Sequence, residues 1–208
     1  LALVEQIVRW LLRNYKKTLS MRKMIILLVC ALLSVNAFAQ NPLMTVKSGS
    51  LDVFNESVNI NVVIDDYDPI IDGRDKGAKE YYTEQGGSRY TDFCADLVRA
   101  HKSFVSYYNA EKSGVKSTVG TSDDAPYTLQ IHVSLMNVGS GGASVFGLSH
   151  KSGGALINGD MKLVKNESGE VMCEIEFQGI KGVRCPTFNG RAISVYRYLA
   201  DALLDIVQ

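Results

Sequence analysis

The chain has 208 residues and carries 22 Lys and Arg against 22 Asp and Glu, which gives no formal net charge at pH 7. Six of the basic residues and only one acidic residue lie within residues 1–39, so residues 40–208 are acidic overall. Nucleic-acid-binding proteins need clustered positive charge to displace counterions from phosphates, and no such cluster occurs after residue 39. The composition therefore argues against a nucleic-acid partner.

Residues 21–39 have the three-part pattern of a secretory signal peptide. A short basic start at Met21 is followed by an apolar run over residues 25–35 and by small residues ending at Ala39. The apolar run has about eleven residues, whereas a membrane-spanning helix needs about 20. We therefore expect cleavage near Ala39, a periplasmic or secreted protein, and no membrane span in the mature chain.

Residues 1–20 lie upstream of this complete signal, and we interpret them as an over-extension of the reading frame. The alternative is an amphipathic leader helix, because Leu3, Ile7 and Leu11 follow helical spacing with basic residues between them. Residues 40–208 have the length of a single ordinary domain, which buries enough surface to fold without disulfides or a metal. The sequence therefore predicts one domain after the signal.

Three cysteines remain after residue 39, and none of them has the C-x-x-C spacing of a metal site. In an exported protein, two of Cys94, Cys173 and Cys185 could form a disulfide, and the sequence leaves the pair open. Cys185 precedes the expected start of a helix, where a thiolate is favoured. It is therefore the candidate for a reactive or disulfide-bonded cysteine.

The first half of the domain is predicted to contain a strand followed by helices. Period-two alternation over residues 58–64 predicts a half-buried strand. Residues 65–68 predict a solvated turn, since their three Asp lack the spacing of a calcium-binding loop. One apolar stripe over residues 88–111 predicts a long helix that carries His101. Weaker patterns predict an edge strand at residues 43–46, a short helix at 76–84 and a short strand at 115–120.

The second half is predicted to contain strands and a final helix. Alternating apolar residues predict a strand over 127–135, with Leu135 on its apolar side, and a glycine-rich loop over 138–154 follows. The runs ALINGDMKLV and EVMCEIEFQGI, joined by NESG, predict a β-hairpin. An amphipathic helix is predicted from residues 186–189 to 206. Because each strand and each long helix has one apolar side, we expect an α+β fold with a mainly antiparallel sheet and two longer helices packed on one face.

The glycine-rich loop is the first candidate ligand-binding region. Its Gly141, Gly142, His150 and Lys151 could contact a ligand, because backbone amides in such loops can bind phosphate. The loop lacks the P-loop spacing G-x-x-x-x-G-K-[ST], and the alternative is a long connection without a ligand. Long loops in compact domains are often functional, so the region stays a candidate.

A group of polar residues on the predicted sheet is the second candidate. His132, Asp160, Glu174 and Glu176 would share one face with Lys162 if their strands are neighbours. A histidine beside carboxylates suits acid/base catalysis or a divalent cation, and the alternative is an ordinary solvated sheet face. A catalytic pair would lie within about 3 Å inside a concave pocket, whereas a binding surface would be open.

The runs YTLQIHVSLMNVGSGG and GGALINGDMKLVKNESGEVMCEIEFQGIKG, followed by the closing helix, resemble a family of exported proteins of unknown function from Gram-negative bacteria. They are more distantly similar to the small α+β domains of envelope lipoproteins of the curli-secretion and Tol-system type. The chain departs from those lipoproteins because it lacks their lipobox. The resemblance implies an envelope role through protein contacts and no catalytic residues.

These observations predict a non-enzymatic, exported envelope protein that acts as a binding or assembly module, with an envelope protein or a small ligand as its partner and no cofactor. The binding surface would be the loop 138–154 and the adjoining polar sheet face. The alternative is a periplasmic hydrolase or metal-dependent enzyme that uses His132 with Asp160, Glu174 or Glu176. A thiol-redox role for Cys185 is a third hypothesis.

Overall fold

The computed structural model describes residues 43–139, 144–145, 148–149 and 153–208. The predicted signal peptide and its cleavage position at Ala39 lie outside the described residues. So do Gly141, Gly142, His150 and Lys151 of the glycine-rich loop. Within the described ranges, every helix is too short or too polar to cross a membrane.

Strands and helices follow one another along the described chain much as the hydrophobic periodicity predicts. The strands are β1 (Met44–Gly49), β2 (Asn59–Asp65), β3 (Ile70–Ile71), β4 (Thr118–Gly120), β5 (Tyr127–Asn137), β6 (Ser144–Val145), β7 (Leu148–Ser149), β8 (Leu156–Lys165) and β9 (Glu170–Lys181). The helices are α1 (Ala78–Glu84), α2 (Arg89–Glu111) and α3 (Phe188–Val207), with a 3-10 turn at Asp52–Asn55. The predicted hairpin is confirmed, because β8 and β9 pair antiparallel.

The main sheet has the strand order β1-β9-β8-β5-β2-β4, with β3 beside the end of β5. Antiparallel pairing joins β1, β9, β8 and β5, whereas β2 is parallel to both β4 and β5, and β3 is parallel to β5. The α+β class is confirmed, but the prediction of a mainly antiparallel sheet is wrong because the sheet is mixed. The chain leaves β2 through α1 and α2 before it returns to β4 and β5, and a long helical crossover allows neighbouring strands to run parallel.

A β-bulge in β5 shifts the apolar alternation by one residue. The register with β8 changes between Val133 and Leu135, so Met136 is buried while Leu135 is only half-buried. The prediction that Leu135 lies on the apolar side is therefore wrong, because a bulge adds a residue that a period-two pattern does not anticipate. Leu135 instead lines a groove on the opposite face.

The apolar faces of the sheet and of the helices meet in a single core. Its largest fully buried side chains come from the 3-10 turn, β2, β3, α2, β5, β8, β9 and α3, and include Phe54, Ile60, Phe104, Tyr108, Ile131, Phe177 and Tyr196. The N-terminus of α3 is capped by Thr187, whose Oγ1 accepts a hydrogen bond from the Gly190 amide at 3.1 Å. No described helix covers the other face of β5, β8 and β9, where polar side chains point to solvent.

Candidate functional site

The open side of the sheet carries the side chains that we call the polar face. Its members are Lys47 of β1, Val63 and Asp65 of β2, Gln130, His132 and Ser134 of β5, Asp160 and Lys162 of β8, and Glu174, Glu176 and Gln178 of β9. Strand register places His132 opposite Asp160, and Asp160 opposite Glu176. The adjacent row places Lys162 opposite Glu174. The structure therefore brings together all the site residues that the sequence predicts on the sheet.

Polar side chains pair across the central strands of the polar face. His132 Nδ1 lies 3.1 Å from Asp160 Oδ1, and Lys162 Nζ lies 3.3 Å from Glu174 Oε1. All four side chains are between 40% and 53% exposed. Exposed pairs of this kind contribute about 0–1 kcal/mol each, so they favour the strand register without dominating stability.

Glu176 is the best-paired carboxylate of the polar face. Its side chain forms an ion pair with Lys47 of the edge strand β1, and its Oε1 accepts a hydrogen bond from Gln178 Nε2 at 2.7 Å. The contact with Lys47, followed by that with Gln178, lowers the pKa of Glu176 below its ordinary value. Glu176 is therefore held as an anion at neutral pH and would make a poor general acid.

The polar face contains an open groove of about 630 Å³. Its lining includes Ile70, which is 45% exposed, and the half-buried Leu135. A neighbouring hollow of about 460 Å³ extends past His132 to Val63, which is 50% exposed. Protein contact sites combine apolar centres with polar rims, and Val63, Ile70 and Leu135 supply the apolar surface on this face.

His132 and Asp160 form a solvent-exposed side-chain contact. Their side chains are 53% and 45% exposed, so water reaches both partners and screens their interaction. Ser134, the next outward-facing residue of β5, donates from its hydroxyl to the Asn158 carbonyl at 3.3 Å. The distance between His132 and Asp160 meets the requirement for an acid/base pair, but an enzyme site also needs a concave, water-excluding pocket. This pair lies on an open surface instead.

The described residues contain no group of three or more His, Cys, Asp and Glu side chains arranged to hold a metal ion. On the polar face, Glu174 and Glu176 are each occupied by a lysine, and a lysine competes with a cation for carboxylate oxygens. The divalent cation considered from the sequence therefore finds no ligand set in this part of the chain.

A buried polar cluster, which the sequence prediction misses, lies on the opposite side of the sheet. We call Asp66, His101 and Tyr196 the Asp66 cluster. Asp66 is 1% exposed, and its Oδ2 accepts hydrogen bonds from His101 Nε2 at 2.8 Å and from the Tyr196 hydroxyl. Its Oδ1 is buried without a hydrogen-bond partner among the described residues. Burial, and then the charge of Asp66, raise the pKa of Tyr196 well above its ordinary value.

The prediction of a solvated turn over residues 65–68 is wrong for Asp66. The three aspartates point to different places: Asp65 is exposed, Asp66 is in the core, and Asp68 Oδ1 accepts a hydrogen bond from the Lys79 amide in the first turn of α1 at 2.8 Å. The signal in the sequence was His101, because a histidine on the apolar stripe of a helix needs a buried polar partner.

The three described cysteines form no disulfide in the structure. Cys173 is buried in β9, and this burial raises the pKa of its thiol. Cys185 is half-buried just before α3, and its Sγ lies 3.8 Å from Thr187 Oγ1. Its position before a helix agrees with the sequence analysis, and its reactivity stays a prediction.

The ends of the glycine-rich loop are firmly anchored beside α3. The buried side chain of Arg191 donates from Nε to the Val138 carbonyl at 2.7 Å and from Nη1 to the Cys185 carbonyl at 2.8 Å. The backbones of Gly154 and Gly182 lie so close together that a Cβ on Gly154 would be 1.9 Å from the Gly182 carbonyl oxygen. Only glycine fits at position 154. The predicted ligand-contacting residues between these ends lie outside the described residues.

No protein-family model matches the chain, and no curated protein matches it. Among solved structures, a PelC dodecamer variant from Paraburkholderia phytofirmans is similar at 11% identity and a TM-score of 0.37, covering 76% of this chain and 97% of that chain. A second PelC dodecamer structure from the same organism has 12% identity and a TM-score of 0.35, covering 76% and 95%. A DUF330 protein from Xanthomonas campestris has 14% identity and a TM-score of 0.36, covering 78% and 89%. Both organisms are Gram-negative bacteria, and at these scores the likenesses carry no function to this chain.

Proposed function

We propose that this protein is a non-enzymatic binding module that holds a basic protein partner on the polar face. The observation that carries the proposal is this face, which no described helix covers and which carries four carboxylates and two lysines. Because residues 40–208 are acidic as well, the electrostatic field of the domain would attract and orient a basic surface.

A protein fits the polar face better than a small ligand does. The groove is open along the sheet, and its exposed apolar side chains, Val63 and Ile70, belong to separate strands. A small ligand would leave much of its surface in water there, whereas small-molecule sites usually enclose most of the ligand. A partner protein could cover both side chains at once and place its cations over the carboxylates.

A photo-crosslinking experiment in the native host tests this proposal. A photoreactive phenylalanine analogue replaces Gln130 or Ser134 on the polar face. In the matched control it replaces Tyr198 on α3, whose side chain is 46% exposed. We expect a covalent adduct of discrete mass from the two sheet positions and none from the control. The reversal Glu174→Lys should remove the adduct, because it converts an attractive contact with a basic partner into a repulsive one.

The absence of an adduct at both sheet positions would contradict the proposal. Equal adducts at all three positions would contradict it as well, because they would show random collisions. An adduct that persists in Glu174→Lys would point to a partner that is not basic, which would overturn the assigned chemistry.

We further propose that the protein acts in the envelope of a Gram-negative bacterium after cleavage near Ala39. The signal-like pattern of residues 21–39 supports export, and the resemblance to envelope lipoproteins of the curli-secretion and Tol-system type favours a protein partner in that compartment. N-terminal sequencing of the exported chain should give Gln40 as the first residue. A mature chain that keeps residues 21–39 would contradict this part.

The alternative proposal is a hydrolase or metal-dependent enzyme that uses His132 with Asp160, Glu174 or Glu176. Its one favourable observation is the distance of 3.1 Å between His132 and Asp160. If it held, His132→Gln would abolish turnover of a substrate without affecting the crosslinked adduct. The half-exposed positions of both residues make the binding module the better-supported function.

A further inference from the structure

The outer edge of β2 is paired along only part of its length. β2 extends to Asp65, but its outer neighbour β4 has three residues and pairs with Asn59, Ile60 and Asn61 alone. No other strand of the described chain lies on this side of β2. The edge from residue 62 to residue 65 is therefore open, over about 13 Å at 3.3 Å per residue.

Backbone groups of this open segment point outward. The Thr118 amide donates to the Val58 carbonyl at 3.0 Å, which shows that the even-numbered residues of this strand turn their amides and carbonyls toward β4. Because these groups alternate sides along a strand, the Val62 carbonyl and both backbone groups of Ile64 face the edge beyond Gly120, the last residue of β4. A further strand could accept and donate hydrogen bonds there.

An apolar groove of about 510 Å³ lies beside this edge, between β2 and α2. Val62 and Ile64 line it from the strand, and Val98 and Val105 line it from the helix. This volume falls in the range of ordinary ligand sites. A strand added at the edge would direct alternate side chains into the groove, which is how sheet-edge peptide sites gain specificity.

Along residues 62–64, the open edge carries none of the features that usually protect one. Residues 62–64 are three consecutive β-branched apolar residues, and Val63 is 50% exposed. Exposed edges are normally blunted by lysine, proline or a bulge, because otherwise they pair with other chains. The first charged residue, Asp65, comes only at the end of β2. An edge left in this state is suited to accept a strand.

The part of the groove nearest Asp66 is polar. His101 and Lys102 both line it there. The His101 ring is fixed by its Nε2 contact with Asp66 at 2.8 Å and by edge-on packing against Tyr67 and Tyr196. Lys102, the next residue of α2, is exposed and is the cationic side chain that lines this groove. A carboxylate fits this end of the groove.

We propose that the free edge of β2 and the groove beside α2 bind the extended C-terminal segment of a partner polypeptide, parallel to β2, with its terminal carboxylate at His101 and Lys102. The direction follows from the positions of these residues, because β2 runs toward Asp66, His101 contacts Asp66, and Lys102 is the next residue of α2. The groove lies on the helix side of the sheet and the polar face on the other side, and the two sites share only Val63 and Asp65 of β2. Variants of Val98 and Lys102 therefore test this proposal without altering the polar face, and either proposal can fail without the other.

The test uses a library of random heptapeptides displayed with free carboxyl ends and selected on the immobilised full chain. Enriched peptides are synthesised as free acids and as amides, and their dissociation constants are measured. We expect alternate apolar residues in the enriched peptides. Val98→Glu should weaken binding at least tenfold, because it places a charge in the groove. Val171→Glu is the matched control, since Val171 is 44% exposed and Val98 is 43% exposed, and it should leave binding unchanged.

Two further measurements examine the terminal carboxylate and the backbone. Amidation of the peptide and Lys102→Glu should each weaken binding, and combining them should cost little more than either alone, because both remove the same contact. Hydrogen exchange at the Ile64 amide should slow when peptide binds. Lys102 is exposed, so this variant keeps the test valid if Val98→Glu proves unfolded.

Three outcomes would overturn the proposal. The first is that no enriched peptide depends on Val98 or Lys102. The second is binding in the groove without protection of the Ile64 amide, which would indicate an occupant that makes no strand contacts. The third is self-association of the chain that masks this edge and is lost in Val98→Glu, which would make the occupant a second copy.

Discussion

The carboxylate of Asp66 and the hydroxyl of Tyr196 are hydrogen-bonded in the core, although 130 positions separate them in the sequence. The contact joins the end of β2 to α3, and His101 of α2 completes it. Three elements that are distant along the chain are thus fixed by one carboxylate. Buried polar groups need hydrogen-bond partners. The hydrogen bonds of Asp66 Oδ2 to His101 and Tyr196 therefore favour one placement of α2 and α3 on the sheet.

Removal of the Asp66 carboxylate should destabilise the fold strongly. Asp66→Ala leaves the Tyr196 hydroxyl and His101 Nε2 without their acceptor, and each unsatisfied buried donor costs about 1–3 kcal/mol. We expect the free energy of unfolding, measured by urea denaturation, to fall by about 2–5 kcal/mol. Asp65→Ala is the control, because its side chain is exposed, and it should stay within about 0.5 kcal/mol of wild type. Equal losses in both variants would contradict a specific role for the Asp66 cluster.

Tyr196 should make the fold sensitive to alkaline pH. Burial and the charge of Asp66 hold its folded-state pKa well above 10, whereas in the unfolded chain it ionises near pH 10. Its contribution to stability is therefore complete below pH 10 and is lost as pH rises toward the folded-state pKa. Above pH 10 the free energy of unfolding should fall by up to about 1.4 kcal/mol per pH unit from this group.

The measurement is the pH dependence of urea denaturation for wild type and Tyr196→Phe. Burial also raises the pKa of Tyr82 to about 12, so both chains should lose some stability above pH 10. The slope should be shallower in Tyr196→Phe. Identical slopes would show that Tyr196 ionises equally in the folded and unfolded states.

Elements with a local hydrophobic pattern could be predicted from the sequence. Features that depend on contacts between residues distant in the sequence could not. The alternation in ALINGDMKLV and EVMCEIEFQGI specifies the β8–β9 hairpin because a short turn joins the two runs. Nothing in the alternation of β2 states that its neighbours run parallel, since strand direction depends on where the α1 and α2 crossover returns the chain. The placement of Asp66 was missed for the same reason, because its partners lie on two helices.

A side chain at position 159 should destabilise the fold. Gly159 lies in β8 beside the bulge of β5, and a Cβ there would lie 2.0 Å from the His132 carbonyl oxygen and 2.6 Å from Phe177 Cζ. We expect Gly159→Ala to cost about 1–3 kcal/mol in the free energy of unfolding, because the backbone must move to admit the methyl group. Gly120→Ala in β4 is the control, since its Cβ would meet nothing within 4 Å. A neutral Gly159→Ala would show that the bulge region can shift freely.

Thiol labelling should distinguish Cys185 from Cys173. In the native chain we expect Cys185 to react with a thiol reagent, because it is half-buried just before α3, while Cys173 reacts only after unfolding because it is 1% exposed and its thiol pKa is raised. The Cys185→Ser variant should lose the fast labelling, and Cys94→Ser reports how much of it comes from the other half-buried cysteine. If Cys185 proves inert, the thiol-redox hypothesis fails.

Loss of charge on the polar face should weaken partner binding without unfolding the domain. Asp160→Asn and Glu174→Gln each remove one member of an exposed pair, and such pairs contribute about 0–1 kcal/mol. We therefore expect the urea midpoint of each variant to stay close to wild type. The crosslinked adduct from Ser134 should nevertheless decrease, because the lost charge is one that a basic partner contacts. The two measurements together distinguish an effect on partner binding from an effect on folding. If the free energy of unfolding fell by more than about 1 kcal/mol, these pairs would be needed to stabilise the sheet. The role of the polar face would then be to stabilise the fold and not to bind a partner.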